Sequence, residues 1–304
     1  MKPLSASLSV SSFLKETLQT GLAGCGLELR RLQRQNRLRP LCEDFLTALH
    51  ASRGDKPSSF KCPLGKVVDF AGFGFGKDQW HPFVEMLQIQ EESGDAAAGQ
   101  FLARFYSIHQ PQSAAEAFLD FTDAPTALHD LPPHLFYLSP WTARSAEELA
   151  AVIERWTHRD NAEHGQKTLD LATGGFPMFG PVSDEKRRLE FDRLRRIKDS
   201  IKENGYDRRC GDSSFRVLKR GDDFRFIADG GGYHRVAAMA ASGFDWIPGR
   251  IFPAPFVIDC AEVDYWPQVR FGFWSKNQAL AYVDYLFDYN SKAWRSYRDE
   301  LLFV

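Results

Sequence analysis

The sequence predicts an α+β protein, with a mixed core between a mainly helical N-terminal region and a short helical C-terminal tail. Three observations predict this class. Apolar residues recur at helical spacing in several segments, two runs between residues 213 and 228 alternate apolar and basic residues, and a glycine cluster separates the second run from an alanine-rich segment. We expect residues 1–165 to form the N-terminal region, 166–258 the core and 259–304 the tail.

Composition limits the class of protein. The chain has 304 residues, of which 43% are hydrophobic, enough for a substantial core. Its formal net charge of -2 argues against a dedicated nucleic-acid-binding protein. Five widely spaced cysteines without a CxxC pair are typical of reduced thiols. Because no long apolar run or signal peptide is evident, we expect a cytoplasmic protein without a membrane span.

The N-terminal region contains two capping-box patterns. "SAAEAFLDF" begins at Ser113 and "SAEELAAVIERW" at Ser145, and each has a glutamate three residues later, which predicts two helix starts. The segment between them holds four prolines, so we expect a packed loop there.

The core region follows a simple order of elements. "EFDRLRRIKDSIKENG" predicts an amphipathic helix that ends at Gly205. "SFRVLKRGDDFRFIA" predicts a β-hairpin that turns at residues 221–223, and "HRVAAMAAS" and "WIPGRIF" predict a helix and a further strand. The tail predicts two helices, the first capped by Ser275 with Gln278.

Three consecutive glycines, Gly230, Gly231 and Gly232, join the hairpin to the alanine-rich helix. The first amides of a helix lack partners and favour anions, and glycines let a phosphate approach the main chain closely. His234 and Arg235 add donors in the first turn of that helix. This pattern predicts a phosphate site, although a tight strand–helix turn without a ligand explains the glycines as well.

The stretch from about residue 180 to 252 resembles the ParB/sulfiredoxin-like fold. The resemblance rests on "RRLEFDRLRRIKDSIKENGYD", on the hairpin that follows it, and on "DGGGYHRVAAMAASGFDWIPGRIF". Chromosome-partitioning proteins, sulfiredoxin and ParB-like free serine kinases share this fold. Two departures matter: Tyr233 stands where sulfiredoxins carry their catalytic cysteine, and no helix-turn-helix pattern follows the core. Sulfinic-acid repair and chromosome segregation are therefore not expected.

The resemblance implies a nucleotide site at the glycine loop. ATP or ADP is the expected cofactor, with other nucleoside triphosphates possible, together with Mg²⁺. The residues that the resemblance and the local basic charge assign to the nucleotide are Asp229, Gly230, Gly231, Gly232, His234, Arg235, Lys186, Arg187 and Arg193. The extra glycine in "DGGGYHR" leaves the register of the phosphates open.

Phosphoryl transfer needs a carboxylate that accepts the proton of the acceptor hydroxyl. In the serine kinases of this fold the catalytic glutamate comes from the region of the first core helix, which implies Glu185 as base and Glu190 as second choice. Acidic residues near a helix start capped by Ser183 also have a purely structural explanation, because they complement the helix dipole.

These patterns together predict a nucleotide-dependent kinase that acts on a small hydroxyl acceptor, such as an amino acid or a sugar. A nucleotide-binding or nucleotide-hydrolysing switch protein is the main alternative, and a ParB-like nuclease is a third. The expected partners are the nucleotide and the acceptor, and no residue is assigned as a metal ligand. "AGFGFGKD" imitates a P-loop but has Asp78 where the motif needs Ser or Thr, so we interpret it as a glycine-aromatic loop.

Overall fold

A computed structural model describes residues 38–52, 58–229, 231–251 and 257–303 of the chain. In these residues the strands form one mixed β-sheet. The strands in these residues are β1 Leu41–Cys42, β2 Ser59–Pro63, β3 Val67–Val68, β4 Ser213–Arg220, β5 Asp223–Ala228, β6 Trp246–Ile251 and β7 Ile258–Asp259. The helices are α1 Phe45–Ala51, α2 Pro82–Ile108, α3 Ala146–Glu163, α4 Leu171–Gly174, α5 Asp184–Asn204, α6 Tyr233–Ala241, α7 Pro267–Arg270, α8 Lys276–Asp288, α9 Ser291–Ser296 and α10 Asp299–Phe303. The predicted α+β class is confirmed.

The sheet has the strand order β1-β2-β6-β4-β5-β3, and β7 pairs with β4. Strands β4 and β5 form the predicted hairpin, in which Arg220 pairs with Asp223 across a two-residue turn. Strand β6 runs parallel to β4, and this pairing sets Arg250 opposite Ser214. Strands β2 and β3 pair with β6 and β5, so the sheet takes strands from both sides of the division expected at residue 165.

The helix ends follow the capping residues of the sequence. Helix α3 begins at a complete capping box formed by Ser145 and Glu148, and α8 begins at another formed by Ser275 and Gln278. The Ser183 side chain caps α5, and Gly205 ends that helix with a φ of 72°, a left-handed conformation that favours glycine. These three predicted helix starts are confirmed. None of the helices in the described ranges has the length and apolarity that a membrane crossing requires.

The prediction of a helix that begins at Ser113 is wrong. A cap-like bond does form, since the Glu116 amide donates to the Ser113 hydroxyl at 3.3 Å. The chain nevertheless continues as turns, because the amides of Ala114 and Ala115 bond to carbonyls of Leu131 and Leu128 instead of starting a helix. Tertiary hydrogen bonds therefore override the local capping signal at this position.

Candidate anion-binding site

The glycine loop has the strand–loop–helix order that the sequence predicts. Strand β5 ends at Ala228, and α6 begins at Tyr233. Gly232 precedes α6 with a φ of +96°, and a Cβ atom there would lie 2.5 Å from the Ser213 hydroxyl oxygen. Among the described residues, no side chain caps the first amides of α6. Gly230, which the sequence assigns to the same loop, lies outside the described residues.

His234 points into the protein, where it joins a buried cluster of charges. Its Nε2 atom lies 2.5 Å from the Glu190 carboxylate. Glu190 is fully buried and also contacts the Lys186 ammonium at 2.6 Å and the Arg193 guanidinium at 3.3 Å. Lys186 also donates to the Asn161 side chain at 2.6 Å. We call these residues, together with Asp160, the Glu190 network.

The charges of the Glu190 network balance without a positive charge on His234. Arg193 binds the Asp160 carboxylate through two nitrogens at 2.7 and 3.1 Å, so two carboxylates face two cations. Burial opposes the ionisation of Glu190, but His234, Lys186 and Arg193 outweigh it and hold its pKa well below the ordinary value. Burial lowers the pKa of His234, which we therefore treat as a neutral donor to Glu190.

The Glu190 network ties three helices together. It brings together four residues that the sequence assigned to nucleotide binding or catalysis: Lys186, Glu190, Arg193 and His234. They bind one another in the interior between α3, α5 and α6, where a ligand would first have to break buried ion pairs. The structure therefore supports a structural role for these side chains.

The remaining predicted cations also have protein partners. The Arg235 guanidinium donates to the Gly211 carbonyl and, at 3.1 Å, to the Tyr206 hydroxyl. Arg187 pairs with Asp184 at 2.7 Å in the first turns of α5. Glu185 is exposed in the same turn. None of these residues lines the cavity that opens on the other side of the glycine loop, at Asp229 and Gly231.

A cavity of about 670 Å³ opens beside the glycine loop, on the side of Asp229 and Gly231. We call it the arginine pocket, because five arginines from three parts of the chain line it: Arg144, Arg155, Arg159, Arg216 and Arg250. Among its described lining residues, Asp229 is the one carboxylate. The pocket is therefore strongly cationic.

Neighbouring strands build the floor of the arginine pocket. Ser214 and Arg250 lie side by side on β4 and β6, and Arg250 donates to the Ser214 hydroxyl oxygen at 2.7 Å. Arg216 is two residues along β4, so its side chain leaves the sheet on the same face as Ser214. Its guanidinium binds the Asp229 carboxylate. The sheet thus presents two guanidinium groups and one carboxylate on a rigid base.

Helix α3 forms a second wall of the arginine pocket. Leu149, Val152, Ile153 and Trp156 are spaced as one face of a helix and line the pocket, together with the rings of Phe70 and Tyr137. Arg155 and Arg159 are exposed and one turn apart at the edge of this wall. The pocket therefore combines a cationic floor with an apolar and aromatic wall, which suits an anion that carries a ring.

Of the residues that the sequence assigned to nucleotide binding, Asp229 and Gly231 line the arginine pocket. The sequence missed Arg216, Arg250 and the arginines of α3 as site residues. A usable signal existed for Arg216, since a basic residue alternates there with buried Phe215 and Val217 and must leave the sheet on the opposite face.

The described residues that line the arginine pocket include few side chains that could bind Mg²⁺. In the described part of the chain, no group of three or more His, Cys, Asp or Glu residues is placed to hold a metal ion. One oxygen of the pocket's carboxylate, Oδ2 of Asp229, is bound by the Arg216 guanidinium. The pocket therefore meets negative charge with arginine side chains.

Comparison of the chain with protein-family models, with curated proteins and with solved structures found no match in any of the three.

Proposed function

We propose that this protein binds a phosphorylated small molecule in the arginine pocket, and that a nucleotide fits its two walls best. The observation that carries the proposal is that five arginines and a single carboxylate residue, Asp229, are among the described residues that line a cavity of about 670 Å³. Cavities of this size hold small organic ligands. The resemblance to a family of nucleotide-binding domains agrees with this choice of ligand but is not needed for it.

The cationic floor favours phosphate because of its geometry as well as its charge. A guanidinium group presents parallel N–H donors that match two oxygens of one phosphate. Arg216 and Arg250 project from paired strands, so little side-chain and backbone freedom remains to be lost when the anion binds. The Ser214 oxygen accepts from Arg250, which leaves its own hydrogen to donate to a phosphate oxygen.

The wall formed by α3 favours a planar ring beside the phosphate. Stacking of a base on an aromatic side chain contributes about 1–3 kcal/mol. We expect Trp156→Leu to weaken ATP binding about 5- to 150-fold and to leave pyrophosphate binding unchanged, as measured by isothermal titration calorimetry. Trp246→Leu is the matched control, because Trp246 stacks with Lys61 outside the pocket and should affect neither ligand. An equal loss for ATP and pyrophosphate would contradict the placement of the ring.

Transfer of a phosphoryl group to a small hydroxyl acceptor is a second candidate function, favoured by the position of Asp229 beside the arginines. As the acceptor oxygen forms its bond to phosphorus, the bond to the leaving nucleotide oxygen breaks, and Asp229 takes the acceptor proton. Asp229 fits this role better than Glu185, which is exposed on α5 and does not line the pocket.

A thermal-shift screen tests the binding proposal. ATP, ADP, CTP, GTP and pyrophosphate would be added at millimolar concentration, with and without Mg²⁺. A ligand at one hundred times its dissociation constant adds about 2.7 kcal/mol to the free energy of unfolding, so we expect a shift of several degrees for pyrophosphate and for at least one nucleotide. No shift with any of them would overturn the proposal.

A single variant separates the two candidate functions. Asp229→Asn removes the negative charge of the pocket, so we expect nucleotide binding to stay equal or become tighter. If the protein is a kinase, the same variant should lose at least 100-fold in the rate of acceptor-dependent nucleotide turnover. Turnover that does not depend on any acceptor, or that survives Asp229→Asn, would favour a nucleotide-dependent switch.

A further inference from the structure

A second polar cluster lies beneath the glycine loop and is not part of the arginine pocket. The Tyr233 hydroxyl, in the first residue of α6, lies 2.5 Å from His81 Nε2 and 3.0 Å from Asp69 Oδ2. Asp69 is 1% exposed and His81 is 2% exposed. We call these three residues the Asp69 relay.

The neighbours of the Asp69 relay fix the direction of its hydrogen bonds. His81 Nδ1 accepts from the Phe83 amide at 3.1 Å, so the hydrogen of the neutral ring is on Nε2 and is donated to Tyr233. Tyr233 can then donate its own hydrogen to Asp69. The other Asp69 oxygen accepts two amides at 2.9 Å, from Gly72 and Phe73. Every donor thus has an acceptor when Asp69 is ionised.

Among the described residues, no permanently charged cation forms an ion pair with the Asp69 carboxylate. In the described structure, the ion-pair contact of Asp69 is to His81 at 3.9 Å, and burial holds the pKa of His81 well below its ordinary value. The other titratable groups that face Asp69 are phenols: Tyr233 of α6, Tyr137 of the turn before α3, and Tyr282 and Tyr285 of α8. Burial raises the pKa of Asp69 to about 7, against the pull of its hydrogen-bond donors.

The Asp69 relay adjoins the arginine pocket through two aromatic residues. Phe70 follows Asp69 directly in the chain and lines the pocket. Tyr137 also lines the pocket, and its ring packs edge-on against the Phe70 ring with 4.9 Å between the centroids. Asp69 is therefore one residue away from the lining of the pocket.

We propose that Asp69 is a buried proton site coupled to the arginine pocket, so that the protein takes up a proton at Asp69 when a phosphorylated ligand binds. This inference rests on the proposed function. An added negative charge nearby disfavours the ionised carboxylate, and the coupling is reciprocal, so protonation of Asp69 strengthens binding of the anion by the same factor. Binding is then tighter at pH 6 than at pH 8.

Calorimetric titration with ATP at pH 7 in two buffers of different ionisation enthalpy measures the proton uptake. Protons released by ATP itself are common to all variants, so the difference between variants isolates Asp69. We expect the wild type to take up nearly half a proton more per ATP than Asp69→Asn. Asp245→Asn is the control, because Asp245 is 79% exposed beyond the other end of α6 and should keep the wild-type uptake. Equal uptake in the wild type and Asp69→Asn would overturn the inference.

A second measurement needs no ligand. In carboxyl ¹³C NMR of the free protein, we expect one resonance to titrate near neutral pH and to be missing in Asp69→Asn. Tyr233→Phe should shift that titration to higher pH, because it removes a donor to the ionised form. If Asp69 titrates near pH 4, the inference fails whatever ligand binds. If this titration is found but neither ATP nor pyrophosphate binds, the proposed function and the coupling fail while Asp69 stands as a proton site.

Discussion

Glu190→Gln is expected to lower the free energy of unfolding by about 3–5 kcal/mol. The change removes the negative charge that holds two buried cations, Lys186 and Arg193. Arg193 keeps its ion pair with Asp160, but Lys186 is left with the neutral Asn161 side chain. It also weakens the bond to His234. Urea denaturation at pH 7 measures the loss directly.

The pH dependence of this contribution has a definite sign. The pKa of Glu190 in the folded protein is lower than its ordinary value, so its stabilising effect is present above that ordinary value. The effect is lost as the pH falls through the lower, folded value. The wild type should therefore lose more stability on acidification from pH 7 than Glu190→Gln does.

Glu185→Gln is the matched control, because Glu185 is an exposed glutamate on the same helix. We expect a change in stability within about 0.5 kcal/mol, and unchanged nucleotide binding and turnover. If both variants lost less than about 1 kcal/mol, the buried charges would not be coupled as their distances indicate. If Glu185→Gln lost turnover and kept binding, the base implied by the family resemblance would replace Asp229.

Arg250→Gln is expected to weaken the binding of ATP and of pyrophosphate about 10- to 150-fold, the range for one charge-assisted hydrogen-bond donor. Both ligands should lose affinity, because the guanidinium would contact phosphate and not the base. Arg250 is exposed, so the fold should tolerate the change. Calorimetric titration at fixed ionic strength measures the effect.

Two other arginines serve as comparisons for Arg250. Arg188 is exposed on α5 and does not line the pocket, so Arg188→Gln should leave both affinities unchanged. Arg235→Lys tests the site that the sequence alone predicts, at the start of α6. Because the Arg235 guanidinium is bound to Gly211 and Tyr206, we expect a small effect on affinity. If Arg235→Lys lost binding and Arg250→Gln bound normally, the phosphates would bind at the start of α6 and not in the arginine pocket.

Local features of the fold could be predicted from the sequence. The β4–β5 hairpin, the helix starts at Ser145, Ser183 and Ser275, and the glycine loop before α6 all depend on residues close together in the chain. The false helix at Ser113 shows the limit of such signals. Its first amides bond to a turn about fifteen residues further on, and no local pattern announces that contact.

The site depends on contacts between distant residues, which is why the sequence identified it only in part. The parallel pairing of β4 with β6 brings Arg250 beside Ser214, and residues of α3, far away in the sequence, line the same pocket. Neither arrangement can be predicted from the spacing of residues along the sequence. The sequence analysis assigned Lys186 and Arg193 to the nucleotide and Glu190 to catalysis, and no local pattern shows that the three pair with one another and are buried against His234.

A crystal structure of the protein with bound ADP would show where the ligand lies. We expect a phosphate oxygen within hydrogen-bond distance of the Arg250 or Arg216 guanidinium, with the adenine against Trp156. Phosphates held instead by the first amides of α6, His234 and Arg235, or located away from the arginine pocket, would contradict this expectation.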